Sequence, residues 1–232
     1  MDKEQLEELA MTGEWSESIT KQLTPNQLNK LQYGLGHKKT NLLGLSAQFK
    51  TLDKLPKDLF HPDGLKVSNG VGESVIHHAA MHNQLCHIPR ELLNEENLNS
   101  PNSEGTTPIH YTCLHLCLNQ VPPELVSRKS LIKPNHHGLN ALDFSLYAYF
   151  DIWEKDRDIS PEDLKENELQ VNEQIKIILS KLTDKDIKDY YKITKEKPAS
   201  PLNNKKTYIL KRETEKRKLL RGLEKTEDDI EV

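Results

Sequence analysis

The stretch Gly105-Thr106-Thr107-Pro108-Ile109-His110-Tyr111-Thr112-Cys113 decides how this chain is read, because it occurs more than once. Gly72-Glu73-Ser74-Val75-Ile76-His77-His78-Ala79-Ala80 stands 33 residues before it. Gly138-Leu139-Asn140-Ala141-Leu142-Asp143-Phe144-Ser145-Leu146 stands 33 residues after it. One step further back lies a worn copy, Lys39-Thr40-Asn41-Leu42-Leu43-Gly44-Leu45-Ser46-Ala47. Other landmarks keep the same step. Asn69, Asn102 and Asn135 each precede the glycine by three residues, and Pro56, Pro89 and Pro122 each follow an aliphatic residue. Leu65, Leu98, Leu131 and Leu164 close the units. Self-similarity at a fixed period of this length is the signature of a stacked repeat.

Each landmark has a physical task. Asn-x-x-Gly is a turn, because Asn can bond its own backbone and Gly tolerates positive φ. Ser74, Thr107 and Asn140 stand where an N-cap would satisfy free helix N–H groups. Pro108 suits the first helical position, where its missing donor costs nothing. Ile76, Ala79 and Ala80 then follow at helical spacing, an apolar face with small residues for close packing. Pro56, Pro89 and Pro122 cannot lie inside a helix but can begin one, so the spacing predicts a second short helix such as Pro89-Arg90-Glu91-Leu92-Leu93.

Turn, helix, loop, helix at 33 residues, with Gly105-x-Thr-Pro-Ile-His110 and Gly72-x-Ser-Val-Ile-His77-x-Ala-Ala, resembles the ankyrin repeat. The proline-started second half resembles a divergent, bacterial-type variant. The resemblance implies an all-α helical repeat solenoid with short hairpin-like turns between helix pairs. It also implies that His77 and His110 are structural, bonding loop backbone. The repeats at 39 and 138 carry Gly44 and Asp143 in place of that histidine.

The register divides the chain into N-terminal capping helices over 1–36 and four ankyrin-like repeats within 37–168. The repeats run over 36–68, 69–101, 102–134 and 135–167. Terminal units of such stacks are atypical because their outer face meets water. Leu6, Leu9 and Ala10 suggest the first cap, and Leu23 to Leu28 echoes the closing part of a unit. Ile159 to Leu164 keeps the register, and Ile175, Ile178, Leu179 and Leu182 form the stripe of C-terminal capping helices over 169–195. Pro198-Ala199-Ser200-Pro201 marks a linker, and 196–232 reads as a charged, solvated tail whose basic stretch runs from Lys205 to Lys225.

Composition narrows the function. The chain has 232 residues, 29% of them charged, with a formal net charge of −4, which gives no general reason to expect nucleic acid. Three cysteines, Cys86, Cys113 and Cys117, show no disulfide-like pattern and point to a reducing, cytoplasmic setting. The N-terminus lacks the apolar core of a signal peptide, and no stretch approaches the roughly 20 apolar residues of a membrane span. Cys113-x-x-x-Cys117 with His110 and His115 is a poor metal set, because a helix turns His115 off that face. No nucleophile elbow, phosphate loop or zinc-protease motif is present. No enzyme activity, cofactor or metal is expected, and a monomer is.

The expected function is a non-catalytic scaffold or adaptor for another protein. By the resemblance, the partner lies on a concave face made of turn tips and the exposed side of each first helix. By register, the helix positions are Phe49, Met81, His82, Leu114, His115 and Tyr147. The turn positions include His37, Lys38, Val71, Glu73, Glu104, His136 and His137. Phe49, Met81, Leu114 and Tyr147 would form an apolar stripe, which on a soluble protein marks an interface. The alternative is nucleic-acid or anionic-surface association through the basic segment 205–225.

Overall fold

The computed structural model describes residues 1–24, 27, 33, 39–155, 161–197 and 200–228. Among them the regular elements are helices, and the β features are two isolated bridges, Tyr33–Thr40 and Ser68–Ser74. The all-α expectation therefore holds. His37 and Lys38, Leu28, Ile159 and Ser160, Pro198 and Ala199 lie outside the described residues. The chain divides into two compact units, Met1–Phe144 and Ser145–Val232.

The first unit opens with α1 (Lys3–Thr12), closed at its start by a reciprocal cap between Asp2 and Gln5. The short α2 (Glu17–Thr20) follows from Ser16. Leu6 and Ala10 of α1 enter one buried cluster with Tyr33, Leu42 and Leu45, against which Trp15, Leu23 and Leu59 pack. The Thr51 hydroxyl donates to the Ala10 carbonyl at 2.6 Å, fixing α1 on the first repeat.

Six helices then alternate in strict phase. They are α3 (Leu42–Gln48), α4 (Pro62–Lys66), α5 (Val75–Met81), α6 (Glu95–Leu98), α7 (Pro108–Leu114) and α8 (Arg128–Ile132). The starts of α3, α5 and α7 are 33 residues apart, as are those of α4, α6 and α8. Burial follows the same step. Leu43, Ile76 and Ile109 are fully buried, as are Leu52, Leu85 and Leu118 in the loops and Leu65, Leu98 and Leu131 in the outer helices, all within 2%. Repetition of one apolar pattern lets each unit use its neighbours as its core.

The turns are closed by the side chains that set the period. Asn69 Oδ1 accepts from the N–H groups of Val71 and Glu73, at 3.0 and 2.8 Å. Asn102 does the same for Glu104 and Thr106, and Asn135 for His137 and Leu139. Successive turns are joined by backbone: Ser103 N–H donates to Val71 O at 2.9 Å, and His136 N–H to Glu104 O at 2.8 Å. Gly105 (φ +74°) admits this approach, since a Cβ there would stand 2.7 Å from the His136 ring.

A second backbone feature keeps the period without any shared side chain. Lys50, Asn83 and Leu116, each just beyond an inner helix, have φ of 60°, 60° and 55°. The next residue's N–H then reaches back five residues, from Thr51 to Ser46 O, Gln84 to Ala79 O and Cys117 to Thr112 O. This is a left-handed helix stop made without glycine.

The proline-started second helix is not what forms. Pro56 and Pro89 introduce single 3-10 turns, Lys57–Leu59 and Arg90–Leu92, and Pro122 a bonded turn closed by Leu125. Phe60, Leu93 and Val126 then bury their side chains, the first two on extended backbone, which stops the turn. The outer helix starts later, behind a fresh N-cap at His61, Asn94 or Ser127.

Helix length changes after the third repeat. The helix α9 (Ala141–Lys155) runs straight through position 149, where the register would place the next left-handed residue. In the second unit follow α10 (Pro161–Lys181), α11 (Asp184–Glu196) and α12 (Pro201–Asp228). The expected stripe Ile175, Ile178, Leu179 and Leu182 is buried. The segment read as a solvated tail is a 28-residue helix packed against α11. Its anchors are Leu210, fully buried, and Lys206, 4% exposed, whose ammonium lies 5.3 Å from the centre of the Tyr190 ring. Arg217 caps the end of α10, donating to the carbonyls of Leu179 and Leu182 at 2.7 and 2.9 Å. It also pairs with Asp184 and Glu213.

Candidate functional site

The motif histidines hold the inner helices in place. His77 Nδ1 accepts the Ser74 N–H at 3.0 Å, so the ring proton sits on Nε2, which donates to Thr106 O of the next repeat. His110 accepts the Thr107 N–H at 3.0 Å in the same way, and its Nε2 donates at 2.9 Å to Lys133 O near the end of its own repeat. In the following repeat Asp143 takes the first half of the task, accepting from Asn140 N–H. Burial lowers the His77 imidazole to about 4 and depresses His110 as well. These rings are neutral staples, His77 between two repeats and His110 between the two ends of one.

On the exposed side of the same helices stand the residues expected to meet a partner. Phe49 is 47% exposed at the end of α3, and Met81, His82 and Leu114 are half-buried on α5 and α7. His115, Glu104, His136 and His137 are exposed, and Val71 is half-buried at its turn tip. Tyr147, 41% exposed, belongs to the second unit, so the stripe within the first unit is Phe49, Met81 and Leu114.

Glu73 is not a free tip residue. One carboxylate oxygen accepts the Tyr111 hydroxyl at 3.0 Å and the other the Asn69 side-chain amide at 2.9 Å. Asn102 donates to the same Tyr111 oxygen at 3.3 Å, so the pair bridges two repeats. Burial first, then the charges of Glu73 and Glu104, hold the Tyr111 phenol above its ordinary range. His82 is lowered by burial, with Lys50 acting in the same direction and Glu73 against it.

His78 was hidden in the motif beside His77. It is 3% exposed, with Nδ1 3.4 Å from the Gln48 amide of the previous repeat and Nε2 without a partner. Burial lowers it to about 4, against the pull of Glu73. Position 78 is in register with Leu45, Tyr111 and Phe144. Its polarity is therefore a departure within an apolar or aromatic column, a signal that aligning the repeats exposes.

Cys86 is a free thiol at the surface. Cys113 and Cys117 are buried, the latter's thiol donating to Ala80 O and pushed up to about 12 by burial. Among the described residues no group of three or more His, Cys, Asp or Glu is placed to hold a metal ion. Nor is any helix there long and apolar enough to cross a membrane. The basic stretch is partly committed to structure: Lys206 is buried and Arg217 bonded, while Lys211 and Lys216 stand beside Glu215 and Glu213. Set against known proteins, the chain matches no family model, and no curated protein matches it.

Proposed function

We propose that the chain is a non-catalytic scaffold of ankyrin-like repeats that binds another protein across the inner-helix ends and turn tips of its first unit. The observation that carries this reading is the contrast between the two sides of α3, α5 and α7. One side is fully buried, at Leu43, Ile76 and Ile109, while Phe49, Met81 and Leu114 remain at the surface. Apolar and aromatic side chains held on a rigid, repeating frame are the usual material of an interface centre. The frame beneath them is fixed by the histidine staples and the turn-to-turn backbone bonds.

The test replaces Phe49, Met81 and Leu114 together by Glu and compares retention of proteins from the host's lysate. The expected result is a partner retained by the wild type and lost by a variant with unchanged helicity. Retention by both would move the binding site elsewhere. Loss of helicity would identify the stripe as core.

A further inference from the structure

The column of residues in register with Glu73 reads Thr40, Glu73, Thr106, Leu139. The turn itself needs no carboxylate there, since it is closed by backbone: Asn69 N–H donates to Glu73 O just as Asn102 N–H donates to Thr106 O and Asn135 N–H to Leu139 O. Tyr111 is equally singular in its own column, as the residue whose hydroxyl reaches across to the previous turn. The Glu73–Tyr111 pair is therefore an addition to the frame.

What it adds is a half-buried anion held by neutral donors. Tyr111 and Asn69 fix both oxygens, and among the described residues no cation stands within ion-pair distance of them. The nearby titratable rings, His78 and His82, are both pressed toward the neutral form, so they do not supply the missing charge near pH 7. His78, whose imidazole feels the Glu73 charge, leaves its buried Nε2 unpartnered, whereas the motif histidines His77 and His110 are bonded at both nitrogens. Glu104, exposed on the next turn, adds a second negative charge. A carboxylate held in place without a counter-charge gains most from a cation that arrives with the partner and excludes water there.

We infer that Glu73, fixed by Tyr111 and Asn69 just before the start of α5, receives a Lys or Arg side chain of the partner. The occupant is a basic amphipathic polypeptide segment that lays apolar residues on the stripe and its cation on Glu73. This rests on the scaffold reading above and adds the chemistry of the partner to it.

A displayed library of random peptides, panned on the full chain, tests the inference. Enriched peptides are expected to carry Lys or Arg between apolar residues and to lose about tenfold in affinity on Glu73→Gln. The same loss is expected for Glu73→Thr, the residue the frame itself uses at positions 40 and 106, with helicity and denaturant midpoint compared with wild type to separate lost binding from lost folding. The loss should shrink at high salt. Enriched peptides that are acidic or uncharged, or that bind both variants within about twofold of wild type, overturn the cation claim. If such peptides still fail on the Phe49, Met81 and Leu114 variant, the scaffold reading survives alone. No enrichment, or peptides indifferent to both sets of changes, removes both.

Discussion

The two units are held together by different means. The first spends single residues on each joint: one histidine ties two repeats, one asparagine closes a turn, one glycine admits its neighbour. The second relies on long helices, of 21, 13 and 28 residues, the last two packed on each other, with apolar anchors such as Ile178, Ile187 and Leu210. The difference teaches where sequence identity is demanded. A short helix of seven residues is too brief to persist unaided, so its start is satisfied by a particular side chain and its end by a left-handed backbone stop. A long helix needs only a stripe.

The contrast can be broken most forcefully at a staple. His110→Ala removes the acceptor for Thr107 N–H and the donor to Lys133 O, both buried or half-buried. Two orphaned backbone groups should cost about 2–5 kcal/mol, read from denaturant midpoints. A change within about 0.5 kcal/mol would show that water replaces the ring.

The second unit has one comparable point. Arg217→Ala frees the carbonyls of Leu179 and Leu182 and the Asp184 carboxylate. About 1–3 kcal/mol should be lost, seen as faster hydrogen exchange in α11 and α12. Unaltered exchange there would mean that the α11–α12 apolar contact alone holds the pair.

Acid sharpens the comparison further. All ten histidines precede residue 138, so 145–232 contains none. Burial depresses His77 and His78 from 6.5 to about 4, so the folded rings stay neutral while the unfolded chain takes up protons. Their contribution is complete above pH 6.5 and is lost progressively as pH falls toward 4. Unfolding at pH 7 and pH 5, followed through Trp15 in a Trp153→Phe background, should report the loss. Hydrogen exchange in α11 and α12, referred to the intrinsic rate at each pH, should not. Equal losses in both would contradict the assignment.

The smallest effect is expected at Leu116, which sits at φ 55°. Leu116→Gly relieves left-handed strain of about 1–2 kcal/mol, partly offset by the greater freedom of the unfolded chain. A net gain of up to about 1 kcal/mol in thermal or denaturant stability should result. Destabilisation would show that the leucine side chain, half-buried, matters more than its backbone.

What could be read in the sequence follows from the same division. Asn69, Ser74, His77 and their repeats act on backbone within a few residues, and such local work demands a fixed residue type at a fixed spacing. Hence the phase of the inner helices was legible. The left-handed stops were not, since Lys50, Asn83 and Leu116 share a backbone conformation imposed by packing and no side-chain chemistry. Proline marked the outer turns correctly as starts, but the buried Phe60 and Leu93 that cut them short act through tertiary contacts. The face residues were placed by register, whereas the role of Glu73 depends on a hydroxyl 38 residues away. The basic segment reads as solvated because charge dominates its composition, and its packing turns on single residues such as the fully buried Leu210.

The turn-to-turn bonds from Ser103 N–H to Val71 O and from His136 N–H to Glu104 O have a consequence for evolution. They engage main-chain atoms alone, so the side chains at those tips are released from any duty to the frame. Selection can rewrite Val71, Ser103, Glu104 and His136 at little cost in stability, and a lineage could change partners by drift at the tips while the joints stay fixed.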